Sequence, residues 1–292
     1  MKFIIKLAII LLFAIIISLI FYYIIIPMYL DNYNYMIDNL LNSNKIKSIE
    51  ESHQEWLNEP LYKFYINSSH NTYLASYQNL SMTNYDAIKN ALLMGAKCIE
   101  LDVHYKDNKL IVAHGNFDII TTNSLDFDKC LDVINEFGFN NSDPLIIFME
   151  LFVNDEGGQL VRNTINEKFK DRLLDSKYKY VNSVTNELMK NLLNKVIIVV
   201  TTGRSKFNDI NDNNFNWIAN KEEDTGYKKE SIEMLRIYPK EGINQTLSIN
   251  YNPDQYWKDK TNMVSLNFQR TDANLYKNLN KFAKSSYILI DS

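Results

Sequence analysis

Short apolar runs of strand length alternate with helix-like segments along most of the chain, and this alternation limits the possible folds more than any other feature. The predicted strands lie at 64–66, 97–103, 110–113, 145–149, 195–201, 234–238, 262–267 and 287–290. The segments between them that predict helices lie at 87–94, 126–138, 159–174, 187–193 and 273–282. Such alternation is typical of an α/β fold. With 292 residues, 46% of them hydrophobic, the chain is large enough to bury such a sheet.

Polar side chains gather near the ends of several of these strands. His70 and Asn71 follow the first strand, and His114 follows a later one. Glu100 and Asp102 lie two residues apart in a strand, so their side chains point to the same side. Two carboxylates on one side repel unless a cation lies between them, and Ca²⁺ accepts carboxylate and amide oxygens together. The pattern predicts an incomplete calcium cage, with the two histidines left for proton transfer.

Each of these residues, taken alone, also fits an ordinary capping, core or solvent-facing position. Glu150, which ends the apolar run 145–149, is open to both interpretations on sequence alone. The conjunction of two histidines, an asparagine and two acids within a short stretch favours a functional site.

Three motifs in the first half of the chain resemble the X region of eukaryotic-type phosphoinositide-specific phospholipase C. They are Ser-Ser-His-Asn-Thr-Tyr-Leu at 68–74, Cys-Ile-Glu-Leu-Asp at 98–102 and His-Gly at 114–115. Three segments in the second half resemble the Y region of that family. They are Arg-Ile-Tyr-Pro at 236–239, Asn-Tyr-Asn-Pro at 250–253 with Trp257, and Val-Ser-Leu-Asn-Phe-Gln at 264–269. The resemblance covers 60–291.

The resemblance implies an α/β fold of the distorted (βα)8 TIM-type barrel class, with the active site at the carboxyl ends of the strands. The catalytic barrel would span 60–292. Within it the resemblance implies an X-like part at 60–201, a short spacer at 202–230 and a Y-like part at 231–292.

The implied activity is calcium-dependent cleavage of phosphatidylinositol or a phosphoinositide. The products are diacylglycerol and inositol phosphate, formed through a cyclic phosphate intermediate. Four side chains match the calcium ligands of the family: Asn71, Glu100, Asp102 and Glu150.

Each catalytic residue receives a role through the same resemblance. His70 is expected to stabilise the pentavalent transition state, and His114 to protonate the departing glyceryl oxygen or donate a hydrogen bond to it. The general base stays open between Glu100, the first choice, and Glu150.

The implied substrate contacts leave the headgroup open. Arg236 and Tyr238 match a phosphate-contacting arginine and a tyrosine that stacks on the inositol ring. The two lysines with which the family grips the ring phosphates of the bisphosphate are replaced here by Val199 and Thr201. Two basic residues lie just beyond that strand and are expected to replace those lysines in part: Arg204 and Lys206.

Two other functions compete with this interpretation. A glycerophosphodiester phosphodiesterase also uses a barrel, an early histidine, a Glu-x-Asp pair and a later histidine, but the Y-region match argues against it. A catalytically silent, membrane-anchored phosphoinositide-binding protein is disfavoured by the intact His70, His114 and ligand set.

The amino-terminal run 7–30 carries no charge, and as a helix it would be about 36 Å long at 1.5 Å per residue. It is expected to span a bilayer once, so that 1–30 form an anchor and 31–59 a juxtamembrane linker. Lys2 and Lys6 favour a cytosolic amino terminus. The glycosylation sequon that starts at Asn67, close to the site, conflicts with the exposure that this orientation implies, so sidedness stays open.

Composition excludes one further class of partner. The formal net charge is -4 and long basic runs are absent, so the sequence gives no electrostatic match to nucleic acid. Cys98 and Cys130 lack the spacing of a zinc site or a redox motif and are expected to be buried free thiols.

Overall fold

A computed structural model describes residues 2–20, 23, 46–75, 82–115, 122–174, 184–202, 218–223, 233–240 and 247–291. The chain divides into two compact units, Met1–Ser43 and Asn44–Ser292.

The first unit contains one described helix, α1 (Lys2–Ile20), of 19 residues. Large apolar side chains from Leu7 to Ile20 are exposed along it. Among the described residues, no helix meets the length and apolarity needed to cross a membrane. The remainder of the predicted anchor, 21–30 apart from Tyr23, and the linker as far as 45 lie outside the described residues.

The second unit contains the alternating elements that the sequence predicts. Its α-helices are α2 (Ile49–Ser52), α3 (Tyr85–Leu93), α4 (Phe127–Phe137), α5 (Asp155–Phe169), α6 (Met189–Leu192), α7 (Asp254–Lys258) and α8 (Ala273–Lys281). Its strands are β1 (Phe64–Ser69), β2 (Cys98–Lys106), β3 (Lys109–Val112), β4 (Leu125–Asp126), β5 (Leu145–Phe152), β6 (Val196–Thr202), β7 (Ile218–Glu222), β8 (Met234–Tyr238), β9 (Met263–Leu266) and β10 (Tyr287–Leu289). Short 3₁₀ turns connect several of them.

Seven strands pair in parallel in the order β6-β5-β2-β1-β9-β8-β7. The hairpin partners β3 and β4 extend β2 on the antiparallel side. This arrangement confirms the predicted α/β class. β10, the last strand of the predicted barrel, departs from the parallel order because it pairs antiparallel with Phe64–Ile66 of β1.

Local sequence signals explain where the helices begin and end. The side chain of Asp126 caps α4 by accepting hydrogen bonds from the backbone N–H groups of Asp128 and Lys129. Asn84 caps α3 by accepting a hydrogen bond from the backbone N–H of Asp86, so the helix begins two residues before the predicted range 87–94. Gly95 follows the end of α3 with φ +85°, a conformation that a residue with a side chain rarely adopts and that glycine supplies where a helix stops.

Buried apolar residues of β1, β2, β5, β6, β8 and β9 form a core cluster, together with residues of the short helices and turns such as Ile49 and Leu192. Cys98 and Cys130 are buried free thiols, as the sequence predicts. The strand β7 falls inside the predicted spacer and was not assigned from sequence. It pairs in register with β8 from Ile218 opposite Met234 to Glu222 opposite Tyr238, so this part of the spacer belongs to the sheet.

The predicted linker also contributes to the second unit. Ile49 is fully buried, and its backbone N–H donates to Oδ1 of Asp143 over 2.8 Å. The predicted glycosylation residue, Asn67, is fully buried as well. Its amide donates to the carbonyl of Met94 and accepts from Asn278, so a glycan could not be accommodated there in the folded chain.

Candidate active site

Strand register brings the predicted site residues together at the carboxyl ends of neighbouring strands. Asp102 of β2 lies opposite Glu150 of β5 in the parallel ladder. β1 pairs with β9 up to Ser69 opposite Leu266, and the backbone N–H of His70 donates to the carbonyl of Leu266. The polar residues that follow these strands therefore meet at one edge of the sheet.

Glu100 and Arg236 form a buried ion pair at the centre of this edge. Nη2 of Arg236 lies 2.8 Å from Oε2 of Glu100, and the arginine side chain is fully buried. Its Nε donates to Oγ of Ser265 over 2.9 Å, and its Nη1 donates to Oδ1 of Asn220 over 2.8 Å. The guanidinium also lies over the Phe148 ring. Arg236, predicted as a phosphate contact, is thus held by four side chains of the protein itself.

The ion pair explains why Glu100 remains charged although it is buried. Burial by itself would raise the pKa of Glu100, but the charge of Arg236, with smaller contributions from the neighbouring His70 and the Asn71 backbone N–H, brings it below its usual value. The backbone N–H of Asn71 supports the same charged form by donating to Oε2 over 3.0 Å. Glu100 is therefore a carboxylate at neutral pH, as a metal ligand or a general base has to be.

His70 is oriented by an asparagine from the far end of the chain. Its Nδ1 lies 2.9 Å from Oδ1 of Asn267, an atom that can only accept, so Nδ1 carries a hydrogen. Asn267 is held in turn by Asn250, whose Oδ1 accepts the Asn267 backbone N–H over 2.6 Å. The other ring nitrogen, Nε2, lies 3.7 Å from Glu100. Burial lowers the pKa of His70, which favours the neutral imidazole.

A second cluster surrounds the hydroxyl of Tyr73. This oxygen lies 2.6 Å from Oδ2 of Asp102, 3.3 Å from Oδ1 of Asn71 and 3.4 Å from Nδ1 of His114. Nδ1 of His114 also lies 3.6 Å from Oδ2 of Asp102. Burial, together with the negative charge of Asp102, raises the pKa of Tyr73 well above its usual value, so the phenol stays protonated.

Asn71 links the two clusters through its backbone conformation. Its φ of 42° is in the left-handed region, which asparagine tolerates better than most residues. The bend directs the Asn71 backbone N–H to Glu100 and its side-chain oxygen to Tyr73. A β-branched residue at this position would strain the turn and lose the amide oxygen.

The structure describes two of the remaining predicted site residues, Tyr238 and Glu150. Tyr238 is partly buried and its ring stacks parallel to that of His70, with centroids 6.1 Å apart. Glu150 lies opposite Asp102 in the β2–β5 ladder, and its charge contributes to the raised pKa values of Tyr73 and Tyr238. Two predicted headgroup contacts lie outside the described residues: Arg204 and Lys206.

The side chains that match the predicted calcium ligands carry oxygen donors of the kind that hard cations prefer. Those of Asn71 and Asp102 converge on one hydroxyl, while Glu100 is engaged by Arg236. Within the described part of the chain, no group of three or more His, Cys, Asp or Glu residues is arranged to hold a metal ion. The donor types fit calcium. To bind it, Glu100 would either contact the metal and Arg236 together or give up its contact with Arg236.

Sequence reasoning gave no role to several residues that shape the site, although four of them lie in the motifs described above: Tyr73, Asn250, Ser265 and Asn267. Tyr73 belongs to the motif at 68–74 and Asn267 to the motif at 264–269, but neither had a role. Asn220, in the unassigned strand β7, carried no signal at all. Distance along the chain hides such partners, since His70 and Asn267 are 197 residues apart.

Two family models match the chain. The model described as phosphatidylinositol-specific phospholipase C, X domain, matches 57–202, and the Y-domain model of the same enzyme class matches 175–290. The first covers half of the chain, and the two together span 57–290, which is nearly all of the second unit.

Curated relatives are similar over about two fifths of the chain. A 1-phosphatidylinositol 4,5-bisphosphate phosphodiesterase of Dictyostelium discoideum is 33% identical over 117 residues, which are 39% of this chain and 14% of the relative. The human gamma-2 form is 34% identical over 120 residues, 40% of this chain and 9% of the relative. The matched segment is thus a small part of each relative.

Solved structures share the fold over a longer stretch. PLC21 of S. officinalis superimposes with a TM-score of 0.67 at 24% identity, covering 80% of this chain and 37% of that one. A calcium-dependent phosphoinositol-specific phospholipase C from Pseudomonas sp. has a TM-score of 0.51 at 12% identity, covering 73% of this chain and 92% of that one. At these identities the likeness concerns the fold.

Proposed function

Because this chain belongs to the phosphatidylinositol-specific phospholipase C family, we propose that it cleaves phosphatidylinositol or a phosphoinositide to diacylglycerol and inositol phosphate. The geometry that carries the proposal is a pair of histidines on either side of a carboxylate pair. Nε2 of His70 lies 3.7 Å from Glu100, and Nδ1 of His114 lies 3.6 Å from Asp102. Imidazoles beside carboxylates are suited to proton transfer and to stabilising a charged phosphorane.

In the proposed reaction the inositol 2-hydroxyl attacks the phosphorus, and the diacylglycerol oxygen leaves with a proton. His114 supplies that proton, and His70, oriented by Asn267, stabilises the pentavalent phosphate. Water then opens the cyclic phosphate in a second step. Glu100, kept ionised by Arg236 and Asn71, is the first candidate for the base that accepts the 2-hydroxyl proton, and Glu150 is the second.

Calcium is the proposed cofactor, held by Asn71, Glu100, Asp102 and Glu150. When bound, it would neutralise phosphate charge and acidify the attacking hydroxyl. The oxygen donors of these side chains and the placement of Asp102 opposite Glu150 support this assignment. A related protein from Pseudomonas sp. is described as calcium-dependent.

The proposed substrate is an inositol lipid, with no preference among its phosphorylated forms. Val199 is buried in the core, and the hydroxyl of Thr201 donates to the carbonyl of Met149 over 3.4 Å. Neither carries the positive charge expected for gripping ring phosphates. Arg204 and Lys206 remain the proposed substitutes, so phosphatidylinositol and its phosphorylated forms are all candidate substrates.

The test uses the full chain in mixed vesicles that contain phosphatidylinositol, its 4-phosphate or its 4,5-bisphosphate, each with Ca²⁺ or with a chelator. In the samples with Ca²⁺ we expect diacylglycerol to be released together with a cyclic inositol phosphate and then inositol phosphate. The two phosphates are detected by ³¹P NMR. The matched control is His70→Ala/His114→Ala, which should bind vesicles equally well but release no product. Equal activity in Ca²⁺ and in chelator would contradict the cofactor assignment.

The same assay, with glycerophosphoinositol added as a soluble substrate, separates the two competing functions. A glycerophosphodiester phosphodiesterase would release glycerol 3-phosphate from glycerophosphoinositol and leave the lipid intact. A silent binding protein would retain vesicles that contain the inositol lipid and form no product with any substrate. Either result would overturn the proposed reaction.

Single-pass attachment to a membrane through 7–30 is a further part of the proposal. The uncharged run in the sequence and the exposed apolar side chains of α1 support it. Deleting residues 1–30 should release the chain from membranes after alkaline extraction. It should also depress hydrolysis of bilayer lipid far more than hydrolysis of a micellar analogue, because tethering raises the effective concentration. Equal loss on both substrates would instead assign the segment to folding.

A further inference from the structure

We propose that Glu222 is a specificity-determining residue, which binds free hydroxyl groups of the inositol ring and disfavours lipids whose ring carries a phosphate at that place. This inference rests on the proposed function, because it concerns the headgroup of the same lipid. It adds a ranking in which phosphatidylinositol is preferred to its ring-phosphorylated forms. Glu222 ends β7, the strand within the predicted spacer that was not assigned from sequence.

The register of β7 directs Glu222 toward the site. Asn220, two residues earlier, lies opposite Arg236 in the parallel ladder, and its Oδ1 accepts a hydrogen bond from Nη1 of Arg236 over 2.8 Å. Side chains two residues apart in a strand point to the same side. Glu222 therefore faces the same side as Asn220, one step nearer the carboxyl ends of the strands, where it lies opposite Tyr238.

Tyr238 connects Glu222 with the reaction centre. Its ring stacks parallel to that of His70 with centroids 6.1 Å apart, and the Arg236 guanidinium lies 5.4 Å from its centroid. Burial raises the pKa of Tyr238 to about 12, and the negative charge of Glu222 is the largest charge effect in that direction. Glu222 and Tyr238 are both only partly buried, so a headgroup can reach them.

The order of the strands indicates which part of the headgroup meets Glu222. It runs β1-β9-β8-β7, so His70, Tyr238 and Glu222 follow one another along the edge of the sheet. The proposed reaction holds the scissile phosphate beside His70 and Glu100. An inositol ring that packs on Tyr238 then directs the carbon atoms farthest from that phosphate toward Glu222. These are the carbon opposite the one that bears the phosphodiester and its two neighbours.

A carboxylate at this place distinguishes a hydroxyl from a phosphate by charge. A hydroxyl can donate to it in a charge-assisted hydrogen bond. A ring phosphate is an anion and is repelled, and placing like charges together is a common means of rejecting a competing partner. Arg204 and Lys206, the proposed substitutes for the missing lysines, would favour ring phosphates. The ranking of the lipids and its response to Glu222 therefore measure which influence is stronger.

The test compares Glu222→Gln with a matched control, Glu223→Gln. The Oε1 atom of Glu223 accepts the backbone N–H of Lys240 over 3.3 Å in an exposed contact. Each variant loses one negative charge, but only Glu222→Gln loses the carboxylate opposite Tyr238. The full chain is assayed with Ca²⁺ on vesicles that contain phosphatidylinositol, its 4-phosphate or its 4,5-bisphosphate. Phosphatidylserine is added so that all vesicles have the same surface charge, and kcat/KM is measured for each lipid.

In the unmodified chain we expect kcat/KM for phosphatidylinositol to exceed that for either phosphorylated lipid by about tenfold or more, because one contact between like charges separates them. Glu222→Gln should reduce this ratio by about tenfold, through a loss on phosphatidylinositol and a gain on the phosphorylated lipids. Glu223→Gln should keep the ratio of the unmodified chain. Glu222→Asp retains the charge and should keep most of the preference.

Three results would overturn the inference. They are an equal or higher kcat/KM on the phosphorylated lipids in the unmodified chain, an unaltered ratio in folded Glu222→Gln, and the same change of ratio in both glutamine variants. The first needs no variant. If the unmodified chain cleaves no inositol lipid, the proposed function fails. Titration of the chain and its variants with glycerophosphoinositol and with its 4,5-bisphosphate, both soluble, then still decides whether Glu222 discriminates between the two headgroups.

Discussion

Charged side chains are buried at both ends of the parallel strands, but the buried carboxyl groups at the two ends differ in their partners and in their pKa values. At the carboxyl ends Glu100 pairs with Arg236 at 2.8 Å. At the amino ends Lys97 and Asp143 precede β2 and β5. Nζ of Lys97 donates to the carbonyl of Gly138 over 2.7 Å, and Asp143 accepts the backbone N–H of Ile49.

The pKa of the buried carboxyl group is shifted in opposite directions at the two ends. Burial raises the pKa of Asp143 to about 6 and lowers that of Lys97 to about 8, and their mutual attraction offsets this only in part. The pKa of Glu100 is lowered despite equal burial, because Arg236 and His70 compensate for the lost water. Burial is thus common to both ends, whereas full compensation of a carboxylate is confined to the site. A buried acid that stays ionised is the better indicator of function.

The largest effect is expected from removing the compensating charge. Arg236→Met leaves Glu100 buried without its partner, so the free energy of unfolding should fall by about 3 to 5 kcal/mol. Urea unfolding of the variant and the unmodified chain measures this difference in free energy. The double variant Glu100→Gln/Arg236→Met is the control and should recover part of the loss. If the single variant is as stable as the unmodified chain, the two ends do not differ in the way their pKa values indicate.

Catalytic effects should be confined to the carboxyl ends. His70→Ala and His114→Ala are each expected to lower turnover by about 10²-fold or more with the fold intact, since each removes one acid–base or charge-stabilising group. Initial rates on vesicle lipid and circular dichroism provide the measurements. Near-normal hydrolysis by either variant would remove that histidine from the mechanism.

The amino ends should govern the pH dependence of stability. The pKa of Asp143 is about 6 in the folded chain, above its unfolded value of about 3.9. The folded chain therefore retains the proton longer, and the free energy of unfolding falls as pH rises through this window. Asp143→Asn keeps the acceptor for Ile49 and should reduce that fall by about 2 kcal/mol. Urea unfolding at pH 4, 5, 6 and 7 gives the comparison, and parallel pH profiles for the two proteins would contradict the shift.

The smallest effect concerns the proposed metal. Asp102→Asn removes one of three carboxylates, so Ca²⁺ affinity should fall about tenfold or more, together with activity. Isothermal titration with Ca²⁺ and the rate at several Ca²⁺ concentrations test this, with Asp143→Asn as the control at the other end. An unaltered calcium dependence in Asp102→Asn would refute the cage.

Local patterns in the sequence determined the class of fold and pointed to the main candidate site residues. Apolar runs and helix caps depend on neighbouring residues, so β1, β2, β5 and the start of α4 were predictable. The motifs around His70, Glu100 and His114 are also local. The short strand β7, Ile-Ala-Asn-Lys-Glu, was not predictable because its apolar content is low and its pairing with β8 defines it.

Only the tertiary structure decided which partner each site residue has. The two-residue period of a strand determines the side to which Glu100 points, but strand order and register determine that Arg236 and Ser265 meet there. The same holds for Asn267 beside His70, which the pairing of β1 with β9 brings together. Such contacts arise between segments far apart in the chain, where local periodicity carries no information. The charge state of Glu100 and the orientation of His70 therefore depend on packing that the sequence pattern does not reveal.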